Sequence, residues 1–154
     1  MSHYKQSERR ALGDLGFGIL VERAAANLPQ STSADLFDVV GGRVKAYIVG
    51  EVTTVIETKE NLTNLEFEPV DGARNDLCDQ LDITADVVGT QYVMTGTAAD
   101  AMVDTGTTCW HLKRSWMVLD AGTVELHCAA SSTGKTRWLC WYVPIDAGAY
   151  VEAA

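Results

Sequence analysis

One run constrains this chain more than any other: TRWLCWYVP, residues 136–144. In a strand, Trp138, Cys140 and Tyr142 fall on one face and Leu139, Trp141 and Val143 on the other. A strand apolar on both sides is covered on both sides. One cover is the domain's own core. The other is a second layer, the N-terminal arm or another subunit. The preceding segment, residues 123–130, alternates instead. Val124, Leu126 and Cys128 point one way, and Thr123, Glu125 and His127 the other, as in a strand with one wet face. Small polar residues, Ser131 to Lys135, separate the two runs. The pattern predicts a β-hairpin with strands near 123–130 and 136–143.

A chain of 154 residues makes one domain, with room for a core that needs no staples. Abundant valine and threonine and 13 glycines favour strands joined by many turns. The net charge of −9 is unevenly spread. Residues 1–24 carry +1, leaving −10 on the rest, and eleven carboxylates between Glu57 and Asp104 face only Lys59 and Arg74. Phosphate binding needs clustered cations, so such a body is expected to avoid direct contact with nucleic acid. The first apolar run is short and broken by glycines, which argues against a signal peptide. No run approaches the roughly 20 apolar residues of a membrane helix. A soluble, cytoplasmically made protein with reduced thiols is expected.

Residues 1–30 differ from the rest. Three glycines, Gly13, Gly16 and Gly18, argue against a helix among Leu12, Leu15, Phe17, Ile19 and Leu20. An extended arm over residues 1–30 is expected, packing its apolar side chains on something, with a short helix over 20–27 as the alternative. Residues 31–154 form the β domain. Val44, Ala46, Ile48, Val52 and Ile56 share the inner face of a long strand, and Lys45, Tyr47, Glu51 and Thr53 the outer. Gly50, on the inner face, marks a bulge or a close backbone approach. Leu65 and Phe67 point inward from a second alternating segment. Shorter strand candidates lie at 77–83, 91–95, 115–119 and 149–152. The expected core is Val44, Ile48, Val52, Leu126, Trp138 and Tyr142. This spacing predicts an all-β domain: an antiparallel β-sandwich or jelly-roll-like barrel.

No motif fixes a chemistry. Residues 129–136, AASSTGKT, fit a phosphate-loop pattern, but the next residues, RWLCWYVP, are aromatic, β-branched and stopped by proline, so no helix can begin there. Cys109, His111, His127 and Cys128 hold metal-capable atoms. Adjacent His127 and Cys128 point to opposite faces of a strand, which breaks a tetrahedral set. Asp76, Asp79, Asp82 and Asp86 lack the glycine and terminal glutamate of a calcium loop and read as a solvated face. Cys128 and Cys140 read as small buried residues, with a disulfide dependent on register. Of the four tryptophans, Trp138 reads as core; Trp141 has either the arm or a neighbouring subunit over it. Neither catalytic residues nor a cofactor is expected.

Residues 28–44 (LPQSTSADLFDVVGGRV), 48–58 (IVGEVTTVIET) and 128–154, closing on YVPIDAGAYV, resemble a group of small structural proteins of tailed bacteriophages. The middle, 70–120, matches less clearly, and CWHLKRSW departs from the small-residue loops usual there. The resemblance implies a virion component made in the host cytoplasm. Its expected role is that of a capsid decoration (cement) protein on the outer surface of the shell, commonly a homotrimer, with the major capsid protein as partner. The interface residues would be Leu15, Phe17, Ile19 and Leu20 of the arm and Leu139, Trp141 and Val143 of the last long strand. A carbohydrate-binding or host-adhesion module of the head fibre, neck or tail is the alternative.

Overall fold

The structure, a computed structural model, describes residues 18–107 and 115–154. Among them no helix forms. The strands are β1 (Ile19–Asn27), β2 (Ser33–Val40), β3 (Val44–Thr54), β4 (Leu62–Pro69), β5 (Asn75–Asp76), β6 (Leu81–Asp82), β7 (Gln91–Val93), β8 (Val103–Asp104), β9 (Met117–Leu119), β10 (Gly122–Cys128), β11 (Lys135–Pro144) and β12 (Tyr150–Ala153). They make two antiparallel sheets packed as a sandwich. The first runs β1-β11-β3-β7-β8, with β9 also on β3; the second runs β12-β2-β10-β4-β5, with β6 also on β4.

The alternating patterns place the core correctly. Val44, Ile48, Val52, Leu126, Trp138 and Tyr142 are all 2% exposed or less and belong to one cluster between the sheets. Trp138 lies directly opposite Gly50 on β3, and a Cβ at Gly50 would sit 2.7 Å from its ring. Gly50 is thus a site of close approach: the indole fills the space a side chain would take. β2 departs from strict alternation. Its register against β10 shifts between Phe37 and Asp35, so Leu36 is the extra residue of a bulge. The bulge lets Leu36 and Phe37 both enter the core.

Two expectations need correction. β10 and β11 are not a hairpin. β10 pairs with β2 and β4, and β11 with β1 and β3. The segment between them crosses from one sheet to the other, so the apolar faces of the two strands meet across the core instead of lying side by side. Asn61 ties this crossing down: Nδ2 donates to Ser132 Oγ at 2.7 Å, and Oδ1 accepts from Ala130 N–H at 3.2 Å. Residues 20–27 are not helical either. They lie in β1, paired with β11 from Ile19↔Tyr142 to Asn27↔Lys135. Ala24, Ala25 and Ala26 favour a helix locally, but the open edge of β11 offers a ladder and an apolar neighbour row, and that tertiary gain prevails. Part of the expected arm is therefore a strand of the sandwich, and Leu28, 2% exposed, sits in its core.

The turn between β11 and β12 is clamped by Asp146. Its carboxylate accepts from Arg43 N–H at 2.8 Å and from the guanidinium at 3.0 and 2.9 Å. These contacts hold the Asp146 carboxyl down at about 2.

Candidate functional site

The outward face of the first sheet is where the doubly apolar strand shows its second side. Ladder registers put Leu20, Trp141 and Tyr47 in one row across β1, β11 and β3. The next row is Glu22, Leu139, Val49 and Val93; on the other side lie Val143, Lys45 and Val118. Tyr47, Val49 and Val93 are buried here, with Trp116 and Trp141 packed partly over them as a second, smaller core. The Tyr47 ring lies 6.1 Å from Trp116 and 5.9 Å from Trp141, both tilted. Lys45 Nζ sits 4.8 Å above the Trp116 ring, a favourable cation–π contact.

Around this centre the face stays apolar and open. Leu20 is 51% and Val118 62% exposed, while Leu139 and Val143 are half-buried. Polar groups close one end. Arg137 Nη2 meets Glu51 at 2.5 Å and Nη1 lies 3.6 Å from Glu22. Of the expected interface residues, Leu20, Leu139, Trp141 and Val143 come together on this face. Ile19 does not: it is 2% exposed and belongs to the central core, because strand parity turns it opposite to Leu20. Leu15 and Phe17 lie outside the described residues. Sequence reasoning missed the Tyr47–Val49–Val93 cluster. Its signal was present, since Tyr47 and Val49 are two apolar outward positions in the middle of β3.

The outward face of the second sheet is its electrostatic opposite. Asp35, Glu125, Glu66 and Asp76 stand directly opposite one another across four strands. Glu152, Asp38 and Glu68 occupy the adjoining row, where Thr123 Oγ1 donates to Asp38 at 2.7 Å. Like charges directly opposite are destabilising. Arg74 offsets part of this by reaching Glu66, Glu68 and Glu125 at 3.4, 3.1 and 3.0 Å. Glu125 is only 6% exposed, and burial pushes its carboxyl above the ordinary range. The folded state therefore holds a proton there more readily than the unfolded chain, so stability falls as pH rises through the window just above the usual glutamate value. Glu125→Gln should stabilise the protein by about 0.5–1 kcal/mol at pH 7.5 and by almost nothing near about pH 3.5, where the carboxyl is protonated in both states. Arg74→Ala should destabilise it and enlarge the gain from Glu125→Gln. Urea unfolding at the two pH values measures this; an equal effect at both would sink it.

The remaining constellations dissolve. Residues 131–134 form the crossing between sheets, where Thr133 N–H already donates to Glu57 Oε2 at 3.0 Å, and Lys135 opens a strand. Cys128 is fully buried, while His127 points outward to Ser33 Oγ at 3.1 Å. Cys109 and His111 lie outside the described residues. Cys78, Cys128 and Cys140 are buried free thiols, with the Cys140 thiol pushed up to about 12 by burial. Asp82 serves its own turn, accepting from Thr84 Oγ1 at 2.6 Å, and Asp86 accepts from Tyr92 Oη at 2.5 Å. Among the described residues no group of three or more histidines, cysteines or carboxylates could hold a metal ion. Nor is any helix long and apolar enough to cross a membrane there.

No family model matches this chain, and no curated protein matches it. Among solved structures, a chain from the structure of infectious bursal disease virus Gx strain aligns over 88% of the present chain at 13% identity, with a TM-score of 0.23. The present chain spans about a third of that chain's length, 34%. A likeness at that level carries no argument for fold or function.

Proposed function

We propose that this protein is a virion structural protein: a capsid decoration (cement) protein of a tailed bacteriophage. It binds the outer surface of the major capsid shell, associates with copies of itself and is not an enzyme. The observation that supports this most is the contrast between the two outward faces. One presents Leu20, Leu139, Val143 and Val118 around an aromatic centre. The other presents two rows of carboxylates with Arg74 as their guanidinium. An apolar face rimmed by polar residues suits a protein contact. An acidic back suits the outside of a DNA-filled shell, where nothing draws it to phosphate. The sequence segments that resemble phage structural proteins fit the same role.

Purified protein added to empty shells of its phage should decorate them. Leu20→Glu and Val118→Glu should each weaken decoration about 10–100-fold, since a charge is forced into an apolar contact. Val70→Glu, at a position 73% exposed on the connection after β4, should leave it unchanged. Equal binding by all three variants would remove this face from the contact. The alternative is a carbohydrate-binding or host-adhesion module. It draws on the Trp116, Tyr47 and Trp141 rings that share one face. Glycan binding lost in Trp116→Ala, with shells left bare, would favour it.

A further inference from the structure

The open face of the first sheet carries its charges in a self-complementary arrangement. Trp141 is the reference point. Lys45 sits one strand to one side of it and two residues along, opposite Val143. Glu22 sits one strand to the other side and two residues back, opposite Leu139. With strands about 4.8 Å apart and a rise of about 3.3 Å per residue, the two lie about 16 Å apart with Trp141 midway. Lys45 is exposed and, among the described residues, has no carboxylate within ion-pair distance; its contact is the Trp116 ring. At the other end Glu22, 52% exposed in its side chain, and Glu51 share the single guanidinium of Arg137, with Glu51 the nearer at 2.5 Å. Among the described residues, one end therefore has a surplus positive charge and the other a surplus negative one. Between them lie Leu20, Leu139 and Val143.

We propose that this face is the contact between two copies of the chain, related by a two-fold axis that lies in the contact plane over Trp141, perpendicular to the line from Lys45 to Glu22. That operation sets Lys45 of each copy against Glu22 of the other and stacks the two apolar centres. An isologous contact needs a self-complementary patch, and this one is. The ion pairs, formed at the rim of an apolar contact, fix its register more than they add affinity. The inference rests on the self-association part of the proposed function and gives it a geometry: the apolar face meets a second copy, not the shell, so Leu20→Glu and Val118→Glu weaken decoration by breaking the pair. A closed trimer has no such axis, so the contact departs from the three-fold arrangement that the resemblance suggests.

Sedimentation equilibrium of the full chain at low and moderate salt tests it. The wild type should form dimers or even-numbered assemblies. Lys45→Glu and Glu22→Lys should each weaken association at least tenfold, because each sets like charges together. The double variant, Lys45→Glu with Glu22→Lys, should regain wild-type association within about threefold. Glu22→Lys does not touch Trp116, so that recovery cannot come from repacking around the indole. Thermal melts of each variant exclude simple unfolding. Association unchanged in the single variants, or not regained in the double, overturns this geometry while leaving self-association standing. A wild type that stays monomeric at millimolar concentration, or closes only as a trimer, also overturns it, the monomer taking the self-association reading with it.

Discussion

Trp138→Ala is expected to cost about 3–5 kcal/mol of unfolding free energy, the usual range for truncating a buried aromatic. For a domain of this size that lowers the melting temperature by about 6–20 °C. The indole is 2% exposed in the middle of β11, its ring lies 6.4 Å from the stacked ring of Tyr92, and its Nε1–H donates to Thr136 Oγ1 at 3.1 Å. Gly50 supplies the floor. Nothing nearby can collapse into the space without moving β3, which is paired with β11 along nearly its whole length. A companion substitution separates this packing argument from a general loss of apolar surface. Gly50→Ala alone should cost about 1–3 kcal/mol, because its Cβ meets the Trp138 ring. In the Trp138→Ala background the same change should be neutral or stabilising. The two sites would then be coupled by about 1–3 kcal/mol. Urea unfolding of the four variants closes the cycle. A Trp138→Ala loss below about 1 kcal/mol, or additive costs, would mean that the ring is not wedged as described.

The legible and the hidden parts of the fold divide along the line between local and non-local information. Strand parity is local. Val44, Ile48 and Val52 alternate with Lys45 and Glu51, and the buried face followed from that alone. The choice of neighbour is not local. Val124, Leu126 and Cys128 needed an apolar partner and so did Trp138, Cys140 and Tyr142; the pattern could not say whether they meet within one sheet or across two. The polar run between them looked like a hairpin turn, yet the side chain that anchors it, Asn61, lies about seventy residues earlier in the chain. β1 was hidden for a similar reason. Its alanines carry little strand preference, and only the uncovered edge of β11 makes it a strand. Ile19 moved from interface to core with it. The second face of β11 was legible as a surface needing cover, because Leu139, Trp141 and Val143 stand there whatever the neighbours are. Its charge pattern was not, since Lys45 and Glu22 flank Trp141 only once β1 and β3 are known to lie on either side of β11. The ion pair of Glu125 with Arg74 was hidden in the same way, because Arg74 stands just before β5, two strands away from β10.

Gly122→Ala should cost about 3 kcal/mol, at the upper end of the usual range for overpacking, and no single compensating change should recover it. Gly122 opens β10 where that strand enters the second sheet between β2 and β4, opposite Val39 on one side and Pro69 on the other. A Cβ there would meet the Glu68 carbonyl oxygen at 2.4 Å, Pro69 Cα at 2.7 Å and the tip of the Phe67 ring at 2.8 Å. Two of those three atoms are backbone, held by the ladder itself and by Val70 N–H donating to the Ala121 carbonyl at 3.0 Å. Relief requires β4 to move away from β10. Gly50 is different, because only side-chain atoms of Trp138 stand in its way. Phe67→Leu should therefore leave most of the Gly122→Ala cost in place, whereas removing the Trp138 ring should abolish the cost at Gly50. Urea midpoints for Gly122→Ala with and without Phe67→Leu make the comparison. Rescue of more than about half the loss by Phe67→Leu would show that the ring, not the backbone of β4, limits the space at Gly122.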